Sequence, residues 1–487
     1  MKLYCRWTHK RSRLAPVSLA LSMLMACSVA LAQEKTTADT SKRPEVEKGR
    51  VVASVHSAAK PEQSYALYVP TNYAPERLWP IIYVFDPAAK GSRPLELMKA
   101  AAENYGYLLA GSNNSRNGAV NIEHEAAQEM WNDTHRWLSI DDRRAYFAGF
   151  SGGARVAAEL AQRCKCAQGV FLNSGGFGVS SPPSGKPAFA VFAMAGMTDF
   201  NYGELVELDA QLESLGFRHF FQRFDGRHEW APADVWQQAL AWSALLEMKD
   251  SLRARDSGMI NAEMTQAAGR LRQREDAGEL YFAVGEYRAV VAAFDGLADT
   301  SILKERLRSI ADNPAVRAGA KEEKAEIEKQ QSIQGDILGK MEAVRESGGE
   351  QAAHFAEASS RVRDLTADAR KERRPDRRRV LERTLGGVFV GAMETGSSLM
   401  EQGQASTAAF YFELAALAHP DWAWPHLSLA RCHVLTGDKK AAFRDFKHAR
   451  EAGATAAEVT EFVKADAKLS GLIESPEYEK AVGEPSH

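Results

Sequence analysis

Cysteine is scarce in this chain of 487 residues: there are five. Cys5 and Cys27 fall in the first 32 residues, which leaves Cys164, Cys166 and Cys432. Three thiols build no disulfide framework. Cys164-Lys165-Cys166 offers a metal two ligands where a structural site needs four. The simplest reading of that pair is two loop thiols or one local disulfide, and no metal or organic cofactor is expected. An excess of charge of one sign is missing too. The formal net charge is -3, so nothing draws nucleic acid to the surface. Beyond residue 32 no apolar run is long enough to cross a bilayer, so no transmembrane anchor is expected.

The first residues are different in kind. Lys2, Arg6, Lys10, Arg11 and Arg13 make a basic start. Val17 to Leu31 is apolar apart from Ser18, Ser22 and Ser28, and Ala30-Leu31-Ala32 supplies small residues two apart. This is the pattern of a secretory signal peptide cut after Ala32, which implies export to a periplasm or to the medium. A second reading takes Leu24-Met25-Ala26-Cys27 as a lipoprotein box with Cys27 lipidated, although Met25 is unusual there. Residues 33–50 are polar and read as a disordered leader.

From 51 to 250 strand-like and helix-like stretches alternate, the pattern of an α/β domain with a mostly parallel central sheet. Apolar or aromatic runs mark strands at 51–55, 64–69, 80–85, 106–110, 144–149, 169–173, 188–193 and 217–224. Helices are expected at 95–105, at 122–138, after Ser151, at 205–215 and at 231–246. Near residue 250 the strands stop. The stretch 305–385 is strongly charged, and Lys371–Arg379 alone holds six basic residues, most simply a solvated surface or linker. Gly437, Ala442, Phe446 and Ala449 repeat Gly403, Ala408, Phe412 and Ala415 at a spacing of 34, and Gly278, Tyr281, Gly285, Phe294 and Leu297 form a fainter copy. This period resembles the tetratricopeptide repeat. The expected plan is therefore an α/β domain at 51–250, a helical region with one degenerate repeat at 251–385, repeats at 386–470 and a tail at 471–487.

Residues 149–153 read Gly-Phe-Ser-Gly-Gly, a G-x-S-x-G between a strand and a helix. A sharp turn there would hold the Ser151 hydroxyl in the open as a nucleophile. A hydroxyl needs a base, and the base needs an orienting acid. In an alternating fold, ligands gather at the carboxyl ends of the strands. Ser151, Asp199 and His228 each follow a strand. Asp199 could instead be a helix N-cap, and Asp225 is a rival acid in an awkward position. Asn113, Trp131 and Trp230 are candidates to line a substrate pocket, with a polar turn and core packing as their plainer readings.

Together these features resemble the α/β-hydrolase fold. Within it, Gly149–Gly153, Gly196-Met197-Thr198-Asp199 and His228-Glu229-Trp230 are similar to secreted esterases related to polyhydroxyalkanoate depolymerases and feruloyl esterases. The resemblance covers about residues 50 to 250. It implies Ser151 as nucleophile, His228 as general base and acid, and Asp199 as the carboxylate that orients the imidazole. It also implies an oxyanion hole built from the Gly152 N–H and a second N–H in the loop after the third strand. Pro87 has no N–H, so Ala88 is the expected second donor. Many relatives carry His-Gly where this chain has Asp86-Pro87. Three readings follow: a serine esterase, a peptidase on the same fold, or an interaction protein whose repeats bind a protein partner beside a degenerate hydrolase domain. Residues 33–250 alone are expected to retain activity.

Overall fold

The computed structural model describes residues 47–117, 120–178, 182–183, 188–346 and 350–483. The expected signal peptide (1–32), with Cys27, lies outside these residues, as do leader positions 33–46 and the last residues of the tail.

Eight strands form one sheet in the order β1-β2-β4-β3-β5-β6-β7-β8. They are β1 (Val51–His56), β2 (Ser64–Tyr68), β3 (Trp79–Phe85), β4 (Leu108–Ser112), β5 (Ile140–Phe150), β6 (Ala167–Asn173), β7 (Ala190–Gly196) and β8 (His219–Phe224). The β1–β2 and β2–β4 pairs are antiparallel and the other five pairs are parallel. With α1 (Ser92–Tyr105), α2 (Val120–Trp137), α3 (Gly152–Cys164), α4 (Tyr202–Leu215) and α5 (Ala233–Lys249) between and after the strands, this is the α/β-hydrolase fold. β3 and β7 are buried along their whole length, which is why they read as unbroken apolar runs. Side chains leave the sheet alternately. Ile82, Val84, Tyr146 and Phe192 pack toward α1 and α5. Ile81, Tyr83, Phe147 and Val191 pack on the opposite face with Ala157 of α3 and Leu205 of α4.

Strand boundaries differ from the sequence reading by one to four residues, most at the start of β5 and the end of β7. β5 begins at Ile140, because Ile140 pairs with Trp79 before a register shift. β7 runs to Gly196, because Ala195 and Gly196 still pair with Arg223 and Phe224.

Beyond residue 250 the described chain is helical. The helices are α6 (Ser257–Asp276), α7 (Leu280–Phe294), α8 (Ser301–Ala311), α9 (Pro314–Glu346), α10 (Gln351–Lys371), α11 (Pro375–Glu401), α12 (Ala405–Ala418), α13 (Ala423–Leu435), α14 (Lys439–Glu451), α15 (Ala456–Lys464) and α16 (Pro476–Val482). The basic run Lys371–Arg379 is mostly exposed and spans the end of α10, a short connection and the start of α11. α9 is a helix of 33 residues. Ile327, Ile337, Met341 and Val344 recur on its buried side, while its charges mostly face water. Gly403 and Gly437, 34 residues apart in sequence, both take positive φ at helix ends, and Ala408, Phe412, Ala442 and Phe446 are all buried.

Residue 250 marks a change of secondary structure but not the edge of a core. Ile260, Leu271, Tyr287 and Val290 of α6 and α7 belong to the same apolar cluster as Phe192, Trp236 and Trp242. Ile327 of α9 joins the cluster on the other face of the sheet. Cys164 and Cys166 are bonded to each other, and Cys432 is a buried free thiol. Among the described residues no helix is long and apolar enough to cross a membrane.

Candidate active site

Ser151 stands between β5 and α3, in the middle of the sheet's carboxyl edge. Its backbone has φ 53 and ψ -118, a conformation costly for a residue with a Cβ and characteristic of functional turns. The neighbouring glycines explain how the turn closes. A Cβ on Gly149 would stand 2.0 Å from the Gly153 carbonyl oxygen, and one on Gly153 would stand 2.1 Å from that of Phe85. The Ser151 N–H donates to the Asn173 carbonyl at 2.9 Å, which ties the turn to the end of β6. Among the described residues the Ser151 hydroxyl has no hydrogen-bond partner, and none links it to His228.

The turns after β7 and β8 are stitched to each other. Met197 N–H donates to the Phe224 carbonyl at 2.8 Å, and both the N–H and the hydroxyl of Thr198 reach the Gly226 carbonyl at 2.9 Å. This brings His228 to Asp199: the imidazole Nδ1 donates to Asp199 Oδ1 at 2.9 Å. A carboxylate only accepts, so the proton sits on Nδ1 and Nε2 is left as the basic nitrogen. Asp199 is wholly buried, and its Oδ1 also accepts the Asn201 N–H at 2.8 Å. Its Oδ2 has no partner among the described residues. The rival acid, Asp225, is exposed. The imidazole lies between two rings, Phe150 at 4.6 Å and Phe200 at 4.1 Å. Phe150 immediately precedes Ser151, so the histidine packs beside the serine turn.

The other expected site residues are placed as follows. The Gly152 N–H opens α3, whose N-terminus has no side-chain cap, so the positive end of the helix dipole faces the turn. The Ala88 N–H is already engaged, donating to Asp86 Oδ1 at 2.8 Å. Asn113 braces the frame: its Oδ1 accepts from Gly91 N at 3.2 Å, and its Nδ2 donates to the Ala53 carbonyl at 3.0 Å. Trp131 packs on Tyr83 at 5.2 Å and stacks on His135 at 4.3 Å, against the sheet. Trp230 is buried, and its Nε1 donates to Asp86 Oδ2 at 2.8 Å beneath Phe150.

Three residues that motif reading passed over take part in this arrangement. Asn117 lies against Gly152: a Cβ there would be 1.9 Å from Asn117 Oδ1. Asn117 is held in place by its N–H, which donates to the Pro87 carbonyl at 3.0 Å. Asn173 joins the serine turn to the histidine turn, since its side chain binds the Glu229 carbonyl at 3.1 Å and the Ala231 N–H at 2.7 Å. Arg383 comes from α11. It is fully buried, its Nε donates to the Met197 carbonyl at 2.8 Å, and its guanidinium lies 3.9 Å over the Tyr202 ring. Its Nη1 reaches Glu326 Oε2 at 3.2 Å, and Arg379 binds the same carboxylate. Close by, Tyr202 and Tyr281 both donate to Glu323, and Gln330 Nε2 donates to the Phe200 carbonyl at 2.9 Å. The helical region thus grips the loop that carries Asp199.

No family model and no curated protein matches the sequence. Solved structures similar to it include the substrate-bound fluorophosphonate-binding serine hydrolase F of Staphylococcus aureus, 13% identical with a TM-score of 0.35 over 41% of this chain and 99% of that one. The esterase of Pyrobaculum calidifontis is 14% identical, with a TM-score of 0.34 over 41% of this chain and 87% of its own. A mutant of the feruloyl esterase module from Clostridium thermocellum, complexed with sinapinate, is 15% identical, with a TM-score of 0.34 over 40% and 87%. The chain carries an α/β-hydrolase fold followed by an all-helical region.

Proposed function

We propose that this chain is an exported serine hydrolase that cleaves carboxylic esters through an acyl-enzyme on Ser151. His228 Nε2 takes the proton of the Ser151 hydroxyl as its oxygen attacks the ester carbonyl, and Asp199 holds the ring and stabilises the imidazolium that forms. The same nitrogen then gives that proton to the departing alcohol, and water repeats the cycle to release the acid. The oxyanion is received by the Gly152 N–H and, in place of the engaged Ala88, by the side-chain amide of Asn117. The observation that carries this reading is the 2.9 Å bond between His228 Nδ1 and Asp199 Oδ1, beside a serine held at φ 53.

Export is supported by the basic-then-apolar start ending in Ala30-Leu31-Ala32, and by the bonded Cys164–Cys166 pair, which suits an oxidising compartment. Residues 386–470 are read as tetratricopeptide-like hairpins, on the matching turns at Gly403 and Gly437.

The test is hydrolysis of a short-chain p-nitrophenyl ester by the full-length mature protein. Turnover is expected, and Ser151→Ala should abolish it. Turnover that persists in Ser151→Ala would contradict the assignment.

A further inference from the structure

A cavity of about 670 Å³ opens beside His228, and the helical region supplies most of its wall. From the hydrolase side come Arg227, His228 and Phe200; facing them are Phe389 and Gly386 of α11 and the loop that holds His419 and Trp422. Of the proposed triad, His228 alone lines it. The wall is aromatic and ordered: Trp422 stacks on His419 at 4.3 Å, and Phe389 meets Trp422 edge-on at 4.6 Å. Burial, and then Arg227, lower the His419 pKa to about 4, so its ring is neutral near pH 7.

The charges are uneven. Arg378 is paired with Glu382 at 2.6 Å and Arg370 with Asp421 at 3.7 Å. Arg227 lies over the Trp422 ring at 5.2 Å and has no carboxylate partner among the described residues. A guanidinium left unpaired above an aromatic wall is suited to a carboxylate attached to a flat apolar body.

The reaction direction says which half of an ester would enter. The imidazole gives its proton to the oxygen of the departing alcohol as the C–O bond breaks, so the alcohol leaves on the His228 side. We infer that the cavity receives the alcohol half of the ester, and that this alcohol carries a planar apolar body with a carboxylate held by Arg227. The inference rests on the hydrolase reading above; in it the helical region supplies the aromatic wall of the leaving-group site and Arg227 of the sheet domain supplies the charge.

Phenyl acetate and 4-carboxyphenyl acetate share an acyl group and differ by the carboxylate. Their binding to the full-length Ser151→Ala protein is to be measured by titration calorimetry, alongside turnover by the wild type. The carboxylate ester is expected to bind about tenfold more tightly, the scale of one charge-assisted contact. Arg227→Gln in the same background should bring the ratio to about one. Gly386→Leu should weaken binding of both esters, because its side chain would start 3.7 Å from Phe200 and grow into the space. Equal binding of the two esters by Ser151→Ala overturns the inference; wild-type turnover of both in that case leaves the hydrolase reading standing. A carboxylate preference without turnover, and without fluorophosphonate labelling of Ser151, removes the hydrolase reading and with it the assignment of a leaving-group site.

Discussion

The sheet domain and the helical region reach the same site by different routes. In the sheet domain each proposed catalytic residue stands at the end of a strand, and a short local motif places it there: a glycine-flanked turn for Ser151, a tight turn after β7 for Asp199, another after β8 for His228. In the helical region no local motif points to the site. Phe389, His419 and Trp422 arrive there because α11 and the loop after α12 pack over the carboxyl edge of the sheet, and Arg383 arrives through a buried ion-pair seam. The difference teaches that the chemistry and its surroundings are encoded separately. The first is local in sequence; the second depends on contacts between residues almost two hundred positions apart, such as Met197 and Arg383.

The largest effect should come from separating the two regions. Cutting the chain after Asp250 strips α6 and α7 from the apolar face that holds Phe192, Trp236 and Trp242. It also leaves Tyr202 and Arg223 without Glu323. Each large apolar side chain uncovered costs about 1.5–3 kcal/mol, so several together exceed the stability of an ordinary domain. Residues 33–250 are therefore expected to be insoluble or molten by circular dichroism and thermal melting, against the simpler expectation from sequence that they suffice. A cooperative melt and full esterase activity in the fragment would break the comparison.

Next in size is the seam itself. Arg383→Ala leaves its buried partners exposed to loss and should lower stability by about 3–5 kcal/mol in chemical denaturation. Glu326 stays paired with Arg379 in either variant, but Arg383→Met keeps most of the buried volume, so it should cost clearly less. An equal loss in both variants would show that the ion pair and its hydrogen bonds, not packing, join the regions.

Asn117→Ala tests the sheet side of the comparison without touching the triad. Removing one oxyanion donor is expected to lower kcat by about 100-fold with little change in KM. A change confined to KM would assign Asn117 to substrate binding instead.

The smallest effect concerns pH. His419 has a folded pKa of about 4 against an ordinary 6.5, because it is buried and lies near Arg227. Between those values the unfolded chain binds a proton that the folded chain does not. Stability should therefore fall as pH drops from about 6.5 toward 4 and level off below. His419→Phe should flatten that part of the melting profile, while an unchanged slope would assign the acid sensitivity elsewhere.

Much of the fold was legible because a parallel sheet buried on both faces writes itself as apolar runs, and β3, β6 and β7 show this plainly. The strand-end positions of Ser151, Asp199 and His228 were legible because each lies within a few residues of an apolar run. Asn173 and Asn117 were not: a buried asparagine that ties two turns together looks like any strand end, and an exposed one beside the serine turn looks like any polar loop. The helical reading of 251–385 did not show which residues of its charged stretch are buried, for a related reason. A long helix that presents one narrow apolar side and faces water elsewhere has the composition of a solvated segment, and nothing local in Arg383 marks it as the buried arginine among so many exposed ones. Ala88 misled because a backbone N–H says nothing in sequence about whether a neighbouring carboxylate has already taken it.

Fluorophosphonate labelling of the intact mature protein, followed by mass spectrometry of its peptides, tests the central claim most directly. The predicted result is one adduct per chain on Ser151, absent in Ser151→Ala and at least about a hundredfold slower in a folded His228→Ala variant. An adduct on another residue, or Ser151 labelled at the same rate with His228 replaced, would contradict the proposal that these two side chains and Asp199 act as one unit.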